Sequence, residues 1–243
     1  MAEYLLPATV TEALALKQAR GAGAVFAFGM TALQLIWGED GPAQAVIDLS
    51  GLHLDGEIRL LPDGRLALPA GLRLQTMLRS PLLARQCPML PALLPKLAAA
   101  GVRNLASLGG NLLWGRGDLE IPFLALGCEL VFAGGAVVAL DRRDLFPADD
   151  ILLQAVIHPA QGGHGFVEKL GAREAFSPAR VVVAGSLAGG ACRFALRLGA
   201  EPARLSARVE ELFRPDDDAY LARAAHNLLR GHAEALGFPE AGA

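Results

Sequence analysis

Residues 101–118 read Gly-Val-Arg-Asn-Leu-Ala-Ser-Leu-Gly-Gly-Asn-Leu-Leu-Trp-Gly-Arg-Gly-Asp, and the interpretation of the whole chain starts from them. Gly109 and Gly110 lie in the middle, where the lack of a Cβ lets backbone N–H groups approach an anionic ligand. A Gly-Gly pair is also typical of a tight turn at a sheet edge, so the pair alone leaves both interpretations open. Residues 91–100 before it predict a helix rich in Ala and Leu, and the apolar residues 121–132 after it predict core.

Composition excludes several classes of protein. The chain has 243 residues, 53% of them hydrophobic and 19% charged, which is typical of a globular protein with a large core. A net charge of −3 gives no electrostatic basis for binding nucleic acid. No run approaches 18 apolar residues, so no membrane span is expected. The N-terminus lacks the basic and apolar regions of a signal peptide, which predicts a cytoplasmic location.

The cysteines and histidines give no metal-ligand pattern. Cys87, Cys128 and Cys192 are far apart, and a four-thiolate iron–sulfur cluster would need one more. Cys128 lies in an apolar run and is predicted to be a buried, small hydrophobic residue. We therefore expect no protein-bound metal in this chain.

Residues 8–50 predict a compact α/β unit. Thr9 and Glu12 form a capping-box pattern before a helix that ends at Gly21. A wholly apolar strand at 24–28 is followed by a glycine turn, a short helix at 32–37 and a second strand at 45–49.

The later segments continue with mixed elements. The predicted elements are a hairpin over 59–68, helices at 74–78, 206–213 and 220–236, and strands at 137–140, 151–158, 180–184 and 192–198. Loops are predicted at Gly162-Gly163 and Gly189-Gly190. The acidic residues 216–218 predict a helix N-terminus.

Taken in order, these segments resemble the FAD-binding (medium) subunit of the molybdenum hydroxylases, the family of xanthine dehydrogenase and aerobic carbon monoxide dehydrogenase. The resemblance covers roughly residues 4–213. It implies an α+β chain with the two-subdomain FAD-binding fold of the molybdopterin dehydrogenase (PCMH-like) type, followed by an abbreviated α+β C-terminal domain. The corresponding domains are residues 1–56, 57–174 and 175–243.

Three landmarks carry the resemblance. Residues 28–33, Phe-Gly-Met-Thr-Ala-Leu, resemble the family's Ala-Gly-Gly-Thr-Asp-Leu, with Met30 replacing a glycine and Ala32 an acidic residue. Residues 103–112 resemble Arg-Asn-x-Ala-Thr-Ile-Gly-Gly-Asn-Leu. Residues 166–170, Phe-Val-Glu-Lys-Leu, resemble the strand that supports the flavin ring. The FAD-binding residues implied by the resemblance are Ala27, Phe28, Gly29, Met30, Thr31, Ala32, Leu33, Ala106, Ser107, Gly109, Gly110, Asn111, Leu113, Asp118, Ile151, Leu152 and Lys169.

The resemblance implies an electron-transfer subunit rather than a site of substrate chemistry, so no catalytic residue is assigned here. Molybdopterin would lie in a large partner subunit and [2Fe–2S] clusters in a small one, and electrons would pass through FAD to NAD⁺ or another acceptor. Two alternatives remain open at this point. One is a scaffold subunit that has lost FAD, and the other is a free-standing flavoenzyme of the same fold.

Overall fold

Three β-sheets and nine α-helices form the parts of the chain that this computed structural model describes, residues 3–37, 44–173, 177–188 and 191–238. The strands are β1 (Glu3–Leu5), β2 (Ala24–Ala27), β3 (Ala45–Asp48), β4 (Arg59–Leu60), β5 (Leu66–Pro69), β6 (Glu129–Phe132), β7 (Val137–Ala139), β8 (Leu152–Ile157), β9 (Ala160–Gly171), β10 (Ala179–Ala188), β11 (Ala191–Leu198) and β12 (Arg204–Ser206). The helices are α1 (Val10–Arg20), α2 (Leu33–Ile36), α3 (Leu74–Leu78), α4 (Pro81–Gln86), α5 (Met89–Leu93), α6 (Ala100–Leu105), α7 (Leu108–Leu113), α8 (Glu120–Ala125) and α9 (Ala219–Ala235).

The N-terminal part is a parallel sheet in the order β1-β3-β2 with α1 packed against it. The predicted cap of α1 is confirmed, because the Thr9 hydroxyl accepts the Glu12 N–H at 3.1 Å. The Glu12 carboxylate in turn accepts the Ala8 N–H at 2.8 Å, one residue before the cap. These contacts fix where the helix begins. Strands β2 and β3 follow as predicted, but only β3 is fully buried, since Val25 and Phe26 of β2 are half-buried.

The middle part is an antiparallel sheet in the order β4-β5-β8-β6-β7, against which the short helices pack. The predicted hairpin is confirmed as β4 and β5, and the predicted helix at 74–78 is confirmed as α3. The predicted apolar core segment forms α8 and β6, and Cys128 between them is 2% exposed. Burial raises the pKa of the Cys128 thiol far above its usual value, so this thiol stays protonated.

The C-terminal part is an antiparallel sheet in the order β12-β11-β10-β9 between two layers of helix. Val182, Ala184 and Ala195 on one face join the core around α8. Val181, Val183 and the other residues of the opposite face pack against α9. The sheet therefore attaches the last helix to the rest of the chain.

Several predicted elements are wrong. The helix predicted at 91–100 is divided, since α5 ends before Pro95, a 3-10 turn follows, and Ala98 adopts a φ of +48° before α6 begins. The helix predicted at 206–213 is replaced by β12, which pairs with β11, and by a 3-10 turn. The loop predicted at Gly162-Gly163 lies within β9. The turn predicted at Gly189-Gly190 lies outside the described residues.

The pairing of strands also bears on the domain limits. β9 precedes the predicted boundary at residue 174, yet it pairs along most of its length with β10, which follows that boundary. A division before β9 would keep this sheet whole, and the division at 174 stays a prediction.

None of the helices in the described ranges is long and apolar enough to cross a membrane.

Candidate functional site

A cleft lies where the N-terminal sheet meets the middle sheet. The end of β2, the chain after β3, the turn between β5 and α3, the start of α7 and the start of β8 form its walls. The lining is mostly apolar, with Ser107 and Asp150 as its polar side chains. The lining residues are Phe26, Ala27, Phe28, Leu49, Leu54, Ala70, Gly71, Ser107, Gly109, Gly110, Leu113, Asp150, Ile151 and Leu152.

The turn after β2, residues 28–33, borders this cleft. Gly29 has a φ of +72°, and a Cβ built on it would lie 2.1 Å from the Leu105 carbonyl oxygen. Gly29 is therefore required both by its conformation and by the close approach of the turn to the end of α6. Met30 has a φ of +53°, so a residue with a full side chain occupies a second left-handed position.

The N–H groups of this first turn are available to a ligand. In the described ranges, the N–H groups of residues 29–32 have no hydrogen-bond acceptor. Consecutive N–H groups of this kind form a concave site that favours an anion. α2, which follows, has only four residues, so the turn itself and not a helix dipole would provide the attraction.

The second turn, at the start of α7, is constructed differently. The N–H groups of Leu108 and Gly109 donate to the carbonyl oxygens of Leu72 and Ala70 at 2.9 and 2.7 Å. The Gly110 N–H donates to the Ser107 hydroxyl at 3.1 Å. These glycine N–H groups thus donate within the protein, and a contact of Gly109 and Gly110 with the cofactor stays a prediction.

Gly109 has a packing role instead. A Cβ on Gly109 would lie 3.0 Å from the Ala70 Cβ and 3.4 Å from Leu152 Cδ2. The absence of this Cβ lets α7 lie directly against the ends of β5 and β8. The second turn therefore shapes the cleft wall and presents the Ser107 hydroxyl to it.

Asp118 and Lys169 meet each other but do not line the cleft. The Lys169 ammonium lies 2.9 Å from Asp118 Oδ2 and donates to the Lys96 carbonyl at 3.1 Å. Arg197 donates to Asp118 Oδ1 and to the Gly117 carbonyl. The Lys169 and Arg197 side chains are each only 4% exposed, so the carboxylate is held by two buried cations from the C-terminal sheet.

Glu120 extends this group of charges. Its side chain is 3% exposed and accepts from Arg143 at 2.8 Å. Its second oxygen, Oε2, has no hydrogen bond in the described structure and lies 3.7 Å from Arg197. The loop that follows α7 is therefore fixed by paired charges at the start of α8.

The structure brings about half of the predicted site residues together at the cleft. Ala27, Phe28, Ser107, Gly109, Gly110, Leu113, Ile151 and Leu152 line it. The remaining residues of the first turn, 29–33, lie at its border. Ala106 lies beside Ser107, and Asn111 braces the loop by accepting the Leu119 N–H at 3.1 Å.

Sequence reasoning missed several lining residues. Leu49, Leu54 and Ala70 carry no local signal, because only the packing of distant segments makes them neighbours. Asp150, which accepts N–H groups from Gly134 and Ile151 at 2.9 and 2.7 Å, stands directly before a predicted strand. That position was the available signal for Asp150, and for Gly71 the signal was a glycine directly after the predicted hairpin.

Comparison with solved structures finds the same fold in several oxidoreductases. A chain of the Cu,Mo carbon monoxide dehydrogenase in its cyanide-inactivated form has a TM-score of 0.80 and 20% identity, over 97% of this chain and 98% of that one. A chain of quinoline 2-oxidoreductase from Pseudomonas putida 86 has a TM-score of 0.77 and 23% identity, over 97% and 98%. A chain of carbon monoxide dehydrogenase from Hydrogenophaga pseudoflava has a TM-score of 0.76 and 21% identity, over 96% and 86%. A search of curated protein sequences found no match.

The three sheets and the cleft between the first two define a two-subdomain FAD-binding fold. The sequence matches the family described as the FAD binding domain in molybdopterin dehydrogenase over residues 1–143, more than half of the chain. The chain belongs to this family of FAD-binding domains, which confirms the resemblance read from the sequence.

Proposed function

We propose that this chain carries FAD in the cleft and serves as the electron-transfer subunit of a multi-subunit molybdenum hydroxylase. The observation that supports this most directly is the first turn, where four consecutive N–H groups, without an acceptor in the described ranges, directly follow Phe28 in the wall of a mostly apolar cleft. The N–H groups of such a turn can bind the diphosphate of a dinucleotide, and the apolar walls can contact its rings. FAD, when bound, supplies the ability to accept and release electrons singly or in pairs.

The residues of this chain would bind and orient the cofactor. The N–H groups of residues 29–32 would receive the diphosphate, and Ser107 and Asp150 offer a hydroxyl and a carboxylate to sugar hydroxyls. Gly109 keeps the wall close enough for Ile151 and Leu152 to contact an aromatic ring. We retain Asp118 and Lys169 as proposed contacts of the flavin end, held in place by Arg197.

The proposed partners are those that the family resemblance implies. We propose a large subunit with molybdopterin and a small subunit with [2Fe–2S] clusters, from which electrons would reach FAD. NAD⁺ or another acceptor would then oxidise the flavin. A cytoplasmic location for this complex remains part of the proposal.

A second function is favoured by one observation. Met30 places a long side chain in the first turn at a left-handed position where the family pattern has glycine. If this side chain closes the diphosphate site, the chain would be a scaffold subunit without FAD that only organises its complex.

An absorption spectrum of the purified chain tests the two functions. We expect flavin bands, and about one FAD released per chain on denaturation. A colourless chain that takes up no added FAD would contradict the electron-carrier proposal and favour the scaffold. Purification from the native extract tests the partners, because a chain that runs alone at micromolar concentration would contradict the complex.

A further inference from the structure

We propose that Arg73 is the cation that binds the diphosphate of FAD, a role that rests on the proposed function and adds a residue to its site. Arg73 precedes α3 and is half-buried at the border of the cleft. No motif in the sequence drew attention to it, since it lies outside the three landmarks.

Arg73 is fixed between the two turns. Its Nη1 donates to the Leu105 carbonyl, immediately before the second turn, and its backbone forms an isolated antiparallel bridge with Ser107. Its guanidinium carbon lies 4.4 Å from the centre of the Phe28 ring, which lines the cleft. A Cβ on Gly29 would lie 2.9 Å from Nη1, so the guanidinium stands directly beside the first turn.

The charge of Arg73 is uncompensated within the described residues. No carboxylate there lies within ion-pairing distance of Arg73, and its Nε and Nη2 donate no hydrogen bond to any described group. The guanidinium is thus held in place by one carbonyl and one aromatic face, while most of its donors stay available. A planar fork of donors in this state is suited to two oxygens of a diphosphate.

Three other cations of the described chain already have carboxylate partners. Lys17 pairs with Asp149, Arg143 with Glu120, and Lys169 with Asp118. Asp150 adds a negative charge to the cleft wall. A diphosphate bound at the first turn would therefore obtain its compensating charge from Arg73, in addition to the neutral N–H groups of residues 29–32.

The experiment compares Arg73→Leu, Arg73→Lys and Arg79→Leu with the unchanged chain, purified in full length and freed of flavin. Arg79 is an exposed arginine at the other end of α3 without an ion pair in the described structure, so it controls for loss of a positive charge. The dissociation constants of FAD and of ADP are measured by titration, and thermal unfolding without ligand reports the fold. ADP is included because it carries a diphosphate but no flavin.

We expect Arg73→Leu to raise both dissociation constants about 10- to 100-fold, the effect of losing one charge-assisted contact. Arg73→Lys should raise the two dissociation constants less than Arg73→Leu does, and Arg79→Leu should change neither constant more than about twofold. If Arg73→Leu unfolds, Arg73→Lys decides alone. An increase of at least several-fold in the dissociation constants of FAD and ADP supports the proposal, and unchanged constants overturn it.

Two other outcomes separate this proposal from the function on which it rests. FAD binding by the unchanged chain with equal affinity in Arg73→Leu overturns the role of Arg73 and leaves the flavoprotein function standing. If Arg73→Leu raises the dissociation constant of FAD but not that of ADP, the proposal is also overturned, because Arg73 would then contact the flavin end. Failure of the unchanged chain to bind FAD contradicts both.

Discussion

Met30 holds a long side chain in a left-handed conformation, φ +53°, which glycine adopts without strain. Met30→Gly should raise the free energy of unfolding by roughly 1 kcal/mol. Glycine removes the strain of a side chain in this region, but it also gives the unfolded chain more conformational freedom, which offsets part of the gain. It should also strengthen FAD binding, because the turn loses its bulk. Urea unfolding and FAD titration measure the two effects.

Two controls separate strain from bulk at this turn. Met30→Ala shortens the side chain but keeps the Cβ, so it should improve FAD binding with little gain in stability. Ala98→Gly relieves a similar conformation, φ +48°, away from the cleft, and should gain stability without changing FAD binding. A Met30→Gly chain that is no more stable than Met30→Ala would contradict the strain.

Asp217 makes a pH-dependent contribution through Arg204. Arg204 donates to both carboxylate oxygens of Asp217, and these two hydrogen bonds lower the pKa of Asp217 below its ordinary value. A lowered folded pKa means that the stabilisation is present above the unfolded value of about 4 and is lost as the pH falls through the folded one. The Asp217→Asn variant should therefore be less stable than the unchanged chain at neutral pH. Its free energy of unfolding should also fall less than that of the unchanged chain on acidification below about pH 4. Urea unfolding over this range checks the difference, with exposed Asp216→Asn as the control; parallel curves for the unchanged chain and Asp217→Asn would contradict it.

At the scale of elements, α7 depends on a missing side chain. Gly109→Ala would place a Cβ 3.0 Å from the Ala70 Cβ and 3.1 Å from its carbonyl oxygen, so α7 would have to move away from β5. We expect a loss of about 1–3 kcal/mol in the free energy of unfolding, and weaker FAD binding as the wall shifts. Gly101→Ala in α6 is the matched control, because nothing lies within 4 Å and alanine favours the helix by up to about 1 kcal/mol. Equal stability of the two variants would show that the close approach is unimportant.

Elements with local signals were predictable from the sequence. Thr9, Ser80 and Asp218 each accept N–H groups of the helix they precede, so α1, α4 and α9 begin where the capping residues indicate. β12 was not predictable, because its conformation comes from pairing with β11 and from the contact of Arg204 with a segment 13 residues later. The same reason explains the site. The glycine turns were visible in the sequence, whereas Leu49 and Leu54 reach the cleft, and Arg73 reaches the first turn, only through long-range packing.

At the scale of the whole molecule, Arg197 joins the C-terminal sheet to the loop after α7. It is buried, donates to Asp118 and to the Gly117 carbonyl, and lies 3.7 Å from Glu120 Oε2. Arg197→Met would leave the buried Glu120 carboxylate and the half-buried Asp118 carboxylate with less compensating charge, so we expect a loss of about 3 kcal/mol in the free energy of unfolding. The affinity for FAD should fall too, since Arg197 would no longer hold the Asp118 and Lys169 side chains in their relative positions.

A double-variant cycle distinguishes this coupling from simple loss of packing. Asp118→Asn combined with Arg197→Met should lose clearly less than the sum of the single variants, because the second change removes a charge that the first left unpaired. Arg116→Met, an exposed arginine in the same loop, should stay within about 0.5 kcal/mol of the unchanged chain. Strictly additive losses would mean that Arg197 acts by packing alone, and the C-terminal sheet would then support the cofactor loop without controlling the charge beside it.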